Sequence, residues 1–390
     1  MKILDKTLAI ETQLVQWRRE FHRHPETGFR EHWTASRIAT ILGELGCRVR
    51  TGIGKTGIVG ELGQGHPVVG IRADMDALPI MEANQVPYAS EYPGFMHACG
   101  HDSHIAMALG AAALLAKERF PGTVRFLYQP AEEVADEEGI SGAPRMIQDG
   151  ALDGIDLILA LHVDPATPVG DIRISSGSFS GGVDSFFAAI NGRGGHGARP
   201  QEVVDPIHIA GHVILALHGI VSRRLNPMTP AVVSVGSVHG GQAENVIPDQ
   251  VELSGTIRFL DPSVQQRIHK EVKNAFEIAR AMGGDYQLKI EIGVPSMIND
   301  AGVVDLISTA AQDLLGPEHV LKPVLELGAE DFGCFTERVP GAMFVLGCRI
   351  EGDHRLLHNP FFDIDEGCLK IGTAIFVETA LRALGASKCL

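Results

Sequence analysis

Apolar residues recur at helical spacing through Ile10, Leu14, Trp17 and Phe21, which predicts an amphipathic helix over about residues 5–23. His24-Pro25-Glu26 should end it, because the residue before a proline is pushed out of the helical region. A second helix is predicted from Glu31 to Leu45, with Ala35, Ile38, Leu42 and Leu45 on one side and Gly46 closing it. Short apolar runs then predict strands at Ile58 to Leu62, Val68 to Ile71, Val124 to Gln129 and Asp156 to His162, with an Ala/Leu-rich helix from Ile105 to Glu118 among them. Strands this continuously apolar are typical of sheets covered by helices on both faces, hence an α/β domain with a mixed, largely parallel sheet.

The texture changes after Ser178-Phe179-Ser180-Gly181-Gly182, which reads as a hinge. Beyond it come a strand (Asp184 to Ile190), a helix (Pro206 to Arg224), two strands (Ala231 to Val238, Val251 to Phe259), a helix (Val264 to Met282) and a strand (Tyr286 to Ile292). That order, βαββαβ, is the ferredoxin-like split unit and is complete in itself. A helix from Val303, a strand at Ala342 to Leu346 and a helix from Glu366 to Leu384 then resume the first texture. The expectation is therefore a discontinuous domain, 1–178 and 294–390, with an inserted α+β domain at 179–293. The 390 residues also exceed the size at which one core keeps growing.

A formal net charge of −15 argues against nucleic acid or an anionic membrane as partner, while leaving room for a small anionic substrate beside a few local cations. No run approaches the length of a membrane span, and the opening residues reach Asp5 and Glu11 without the apolar core of a secretory signal. The six cysteines, at 47, 99, 334, 348, 368 and 389, form no CxxC pair or short framework, which suits a cytoplasmic protein.

Against this background a few segments carry chemistry. Gly52-Ile53-Gly54-Lys55-Thr56-Gly57 matches GxGxxG, but a strand follows it where a phosphate site needs a helix, and Val49 stands where a Walker loop needs glycine; it reads as a hairpin turn. Arg72-Ala73-Asp74-Met75-Asp76 is a strand ending in two carboxylates, with Asp76 the stronger candidate for supporting a ligand site. Met96-His97-Ala98-Cys99-Gly100-His101-Asp102-Ser103-His104 is, taken alone, consistent with metal binding or with a buried cysteine at a capped helix start. Glu132-Glu133 follows one strand, His162 is expected at the carboxyl end of another, and His358 sits in a loop of the returning segment. In an open α/β sheet such points share one crevice. Cys99, His101, Glu133, His162 and His358 make five candidate ligands, enough for two ions sharing a water. The mixed donor set admits zinc or manganese first, with cobalt or nickel as alternatives.

These segments resemble the metal-dependent aminoacylase/carboxypeptidase superfamily, and within it the amidohydrolase branch of hippurate, N-acyl-amino-acid and auxin-conjugate hydrolases. The resemblance rests on Phe21-His22-Arg23-His24-Pro25-Glu26, Arg72 to Pro79, Met96 to Asp102, Gln129-Pro130-Ala131-Glu132-Glu133 and Leu161 to Pro165. It continues through Gly194-Gly195-His196-Gly197-Ala198-Arg199-Pro200, Glu244-Asn245-Val246-Ile247-Pro248, Gly328 to Phe332 and His358-Asn359-Pro360. It implies a dinuclear site held by Cys99, His101, Glu133, His162 and His358, with two divalent ions per subunit. It further implies Glu132 as general base and His196 steadying the oxyanion from the other protomer of a homodimer or higher oligomer, while Asp76, from its place at a strand end, is expected in a supporting catalytic role. Asn245 and Arg258 would bind the substrate carboxylate, and the inserted domain would act as a lid and dimerisation module. The reaction implied is cleavage of an N-acyl amino acid by a metal-activated water, with a dipeptidase or carboxypeptidase and a non-catalytic binder of amino-acid conjugates as rivals. Val294 replaces an arginine of relatives that prefer acidic residues, so no such preference is implied.

Overall fold

The computed structural model describes residues 3–324, 326–353 and 355–385; Cys389 lies outside them. The chain divides into two compact units. The first comprises Met1–Gly177, Ile298–Val324 and Cys334–Leu390, and the second Ser178–Met297 with Leu325–Gly333.

The first unit is built on an eight-stranded mixed sheet. Its centre is parallel: Val68–Asp74 pairs with Gly122–Gln129 on one side and Leu157–Pro168 on the other, and Leu157–Pro168 pairs in turn with Gly341–Arg349. The hairpin of Arg48–Ile53 and Gly57–Gln64 adds antiparallel strands at one end, so Gly52 to Gly57 is a turn, as the absence of a following helix indicated. The helix His101–Leu115 is buried along its whole length, which its small and apolar side chains on every face permit. It packs against Glu11–Arg23 and Cys368–Ala383, and the joint core runs through Leu14, Phe21, Met107, Leu161, Phe344 and Phe376.

Two expectations need correction. The first helix is two, Ile3–Leu8 and Glu11–Arg23, because the turn tightens at its end, with the Ile10 N–H on the Thr7 carbonyl at 3.1 Å. His162 does not end its strand, which continues to Pro168. The pairing with Val68–Asp74 stops at Ala160, while Gly341–Arg349 carries the strand onward. His162 therefore lies beyond the last paired residue of Val68–Asp74, level with its carboxyl end at Asp74, although its own strand goes on.

The second unit carries a four-stranded antiparallel sheet in the order Ala231–His239, Gln250–Phe259, Gly182–Asn191, Asp285–Ile292. The helices Pro206–Arg223 and Pro262–Phe276 connect its strands in the chain order βαββαβ. Each starts with proline after an aspartate that accepts backbone N–H groups, Asp205 from Ile207 and His208 and Asp261 from Ser263. Ile209, Val213, Leu217, Ile268, Val272 and Phe276 belong with Phe186, Ile190, Leu253 and Ile257 to one core. Among the described residues, no helix is long and apolar enough to cross a membrane.

Candidate metal centre

Gly100, at φ 87°, turns the chain into the long helix in a left-handed conformation, and a Cβ there would stand 2.4 Å from Val163 Cγ2. That turn sets Cys99 and His101 on either side of one point. His101 Nδ1 lies 2.9 Å from the Asp76 carbonyl and 3.2 Å from Asp76 Oδ1, so this nitrogen carries the donated proton. Nε2 is left buried with no hydrogen-bond partner. The second oxygen of Asp76 accepts the Glu133 N–H at 3.0 Å. One carboxylate thus orients a histidine and a glutamate on different segments.

His162 follows the same rule. Its Nδ1 is 2.8 Å from the Val163 carbonyl, and its Nε2 is 3.4 Å from Cys99 Sγ. His358 occupies a left-handed backbone position, φ 58°, with its N–H on the Ala98 carbonyl at 2.8 Å. Its Nε2 is 3.3 Å from Cys99 Sγ and 3.0 Å from Glu133 Oε1. Donor atoms of Cys99, His101 and His162 lie within 4.8 Å of one another, as do those of Cys99, Glu133 and His358, and those of His101, Glu132 and Glu133. All five ligands proposed from sequence, together with Glu132, meet at one place.

The electrostatics favour a cation there. Burial would lower the His101 imidazole, yet Asp74, Cys99 and Asp76 hold it well above its ordinary value. The hydrogen bond to Glu133 raises His358 against partial burial. Burial pushes the Cys99 thiol well up, although His101 opposes this. An excess of negative charge, a buried unpartnered imidazole nitrogen and two imidazoles facing one sulfur fit a divalent-metal site.

Several supporting residues were weakly marked or unmarked in the sequence. Asp74, the lesser candidate beside Asp76, is fully buried, bonds Arg72 at 2.7 Å and His104 at 2.5 Å, and approaches His101 Nε2 to 3.6 Å. His104 accepts the Val163 N–H on Nε2 at 3.1 Å, so it props the strand bearing His162. Asp102 accepts Arg18 Nε and His22 Nδ1, each at 2.8 Å. Arg18 also reaches Asp363 at 2.8 Å and Glu366 at 3.3 Å, joining the start of the long helix to the segment after His358. A signal for Arg18 existed: it shares the buried face of its helix with Leu14, Trp17 and Phe21. His97 is buried with no hydrogen bond on either nitrogen, and burial pushes its imidazole down to about 3.

The second unit holds the remaining candidates. His196 pairs with Val246 in a two-stranded ribbon, and the Gly197 N–H donates to the Asn245 carbonyl at 2.8 Å, so His196 and Asn245 are neighbours. The Ala198 N–H donates to His196 Nδ1 at 3.0 Å, which leaves the ring proton on Nε2. Arg258 stands on the strand Gln250–Phe259, half-buried, with its Nε donating to Thr256 Oγ1 at 3.1 Å.

Known proteins resemble this chain over nearly its whole length. The profile of "Peptidase family M20/M25/M40" matches residues 70–382. The N-acetyl-L-cysteine deacetylase of Bacillus subtilis is 37% identical over 388 residues, covering 97% of this chain and 90% of the relative. Thermostable carboxypeptidase 2 of Saccharolobus solfataricus is 35% identical over 390 residues, covering 98% of each. A crystal structure of the Bacillus subtilis YXEP protein, described as a dinuclear metal binding peptidase, superposes with a TM-score of 0.85 at 34% identity, covering 97% of this chain and 99% of that one. The chain therefore belongs to peptidase family M20/M25/M40 and is a metal-dependent hydrolase of amide bonds.

Proposed function

We propose that this hydrolase cleaves N-acyl amino acids to a carboxylic acid and a free amino acid. The observation that carries the reading is the pair Glu132 and Glu133: Asp76 fixes the backbone of Glu133, which faces His358, while Glu132 stands in the same donor cluster as His101. In this reading Cys99, His101, Glu133, His162 and His358 hold two divalent ions, zinc or manganese. When bound, the ions supply an activated water and polarise the scissile carbonyl. Glu132 takes a proton from the attacking water and returns it to the leaving amine nitrogen as the C–N bond breaks. Asp76 keeps His101 in the tautomer that offers Nε2.

The second unit is read as a ferredoxin-like lid and dimerisation domain, which its βαββαβ order and antiparallel pairing support. His196, with its proton on Nε2, steadies the oxyanion across a homodimer, and Asn245 and Arg258 take the substrate carboxylate. Cys47, Cys99, Cys348 and Cys368 are free thiols, in keeping with a cytoplasmic setting. The carboxypeptidase relative at 35% identity favours one second reading, peptide-bond cleavage by the same centre. Metal analysis of the purified protein, followed by N-acetyl, N-benzoyl and dipeptide substrates with that metal restored, separates the two. Faster turnover of the acyl substrates supports the proposal, and a preference for dipeptides replaces it with the second reading.

A further inference from the structure

The turn that presents Glu132 is held by a carboxylate outside the metal centre. Ala131 sits at φ 45°, a left-handed conformation that is unfavourable for a residue with a Cβ. Something must hold it there. Its N–H donates to Glu31 Oε1 at 2.8 Å, and its carbonyl accepts the Gly142 N–H at 2.9 Å. Glu31 is fully buried, and its second oxygen accepts the Thr56 hydroxyl at 2.6 Å. The turn has little slack, since a Cβ on Gly28 would lie 2.4 Å from Val134 Cγ2 and 2.9 Å from Ala131 Cβ.

Glu31 does not cap its own helix. It precedes the helix His32–Glu44, where an acidic side chain would ordinarily cap the first N–H groups. Here Glu26 does that, accepting from Trp33 at 3.1 Å and Thr34 at 2.8 Å, and Glu31 makes no capping bond. Its carboxylate is turned away from its own helix and onto the residue before the base.

The geometry points to Glu31 as a positioning residue for the reaction: by anchoring the left-handed Ala131 it aims Glu132 at the reacting atoms without touching them. This rests on Glu132 being the base. Either protonation state of Glu31 presents an oxygen to the Ala131 N–H, so it is the acceptor and its reach that matter. Loss of that anchor should lower kcat on the order of a hundredfold, the scale of an ångström-sized misplacement. KM and metal affinity should change little, because Glu133 keeps its own bond to Asp76.

The test compares Glu31→Gln, Glu31→Asp and Glu31→Ala with wild type, reading kcat and KM on an N-acyl amino acid, metal affinity by calorimetry and fold by circular dichroism. Gln keeps an oxygen on the Ala131 N–H while its amide NH2 donates to the Thr56 hydroxyl oxygen in a reversed bond, and it should stay within a few-fold of wild-type kcat. Asp and Ala withdraw the acceptor and should lose kcat at full metal occupancy. If Ala does not fold, Asp carries the same comparison. Wild-type kcat in folded, metal-replete Glu31→Asp or Glu31→Ala overturns the inference, as does a Gln variant as impaired as Asp. A parallel Glu132→Gln measurement separates the two claims: an inactive Glu132→Gln beside unimpaired Glu31 variants removes only the role of Glu31, whereas an active Glu132→Gln removes the base itself.

Discussion

Asp76 and His101 make the contact on which the centre turns: Nδ1 of the histidine lies 3.2 Å from the carboxylate and 2.9 Å from the carbonyl of the same aspartate. The arrangement fixes both ring orientation and tautomer, so Nε2 is offered to a metal without a search. The other carboxylate oxygen does the same for Glu133 through its backbone.

Asp76→Ala should therefore loosen two ligands at once. Metal affinity is expected to fall roughly 10–100-fold, the usual effect of removing such an orienting partner. Calorimetric titration of apoprotein with zinc or manganese measures it. Unchanged affinity would mean that the ligands hold their own orientation.

Removal of the metal should act on stability as well as on turnover, because the ions bind the folded centre and not the unfolded chain. Chelation is expected to abolish hydrolysis and lower the melting temperature, and zinc or manganese in excess should restore both. An apoprotein as stable as the loaded form would contradict the ligand set.

Arg18 is the buried cation among Asp102, Asp363 and Glu366. Those carboxylates hold its guanidinium charged, well above its already high ordinary value, although burial alone would lower it. Arg18→Met leaves buried acids without their partner and should cost about 3–5 kcal/mol in denaturant unfolding. A change below about 1 kcal/mol would show that the cluster rearranges.

Glu31 gives stability a pH dependence. Burial pushes its carboxyl up from 4.5 to about 7, with Asp76 adding to the shift while Thr56 and the Ala131 N–H oppose it. The folded state binds this proton more tightly than the unfolded chain, so the associated stability is present below about pH 4.5 and is lost as pH rises through about 7. Glu31→Gln never ionises. Relative to wild type it should gain stability on the order of 3 kcal/mol above pH 7 and nothing at low pH. Denaturant unfolding across pH 4–8 reads the difference, and a pH-independent offset would contradict it.

The sequence carried more of the centre than of its supports. The convergence of Cys99, His101, Glu133, His162 and His358 was legible because ligand chemistry restricts residue type and because strand ends meet in an α/β sheet. The error at His162 shows the limit: a strand can outrun one neighbour while paired to the other, and Leu157–Pro168 does so on Gly341–Arg349. Glu31 could not be found that way. An acidic residue before a helix reads as a cap, and only the fold reveals that Glu26 caps the helix and that Glu31 faces Ala131. Asp74 was underrated for a similar reason, since its partners Arg72 and His104 become neighbours only in three dimensions.

In the proposed reaction Glu132 moves the proton while other residues hold the metal. The most direct measurement is the turnover of metal-loaded Glu132→Gln on an N-acyl amino acid, with metal content determined on the same sample. Full metal occupancy with a kcat lower by about 10²–10⁴-fold is expected. Near-wild-type turnover in the fully loaded variant would contradict it.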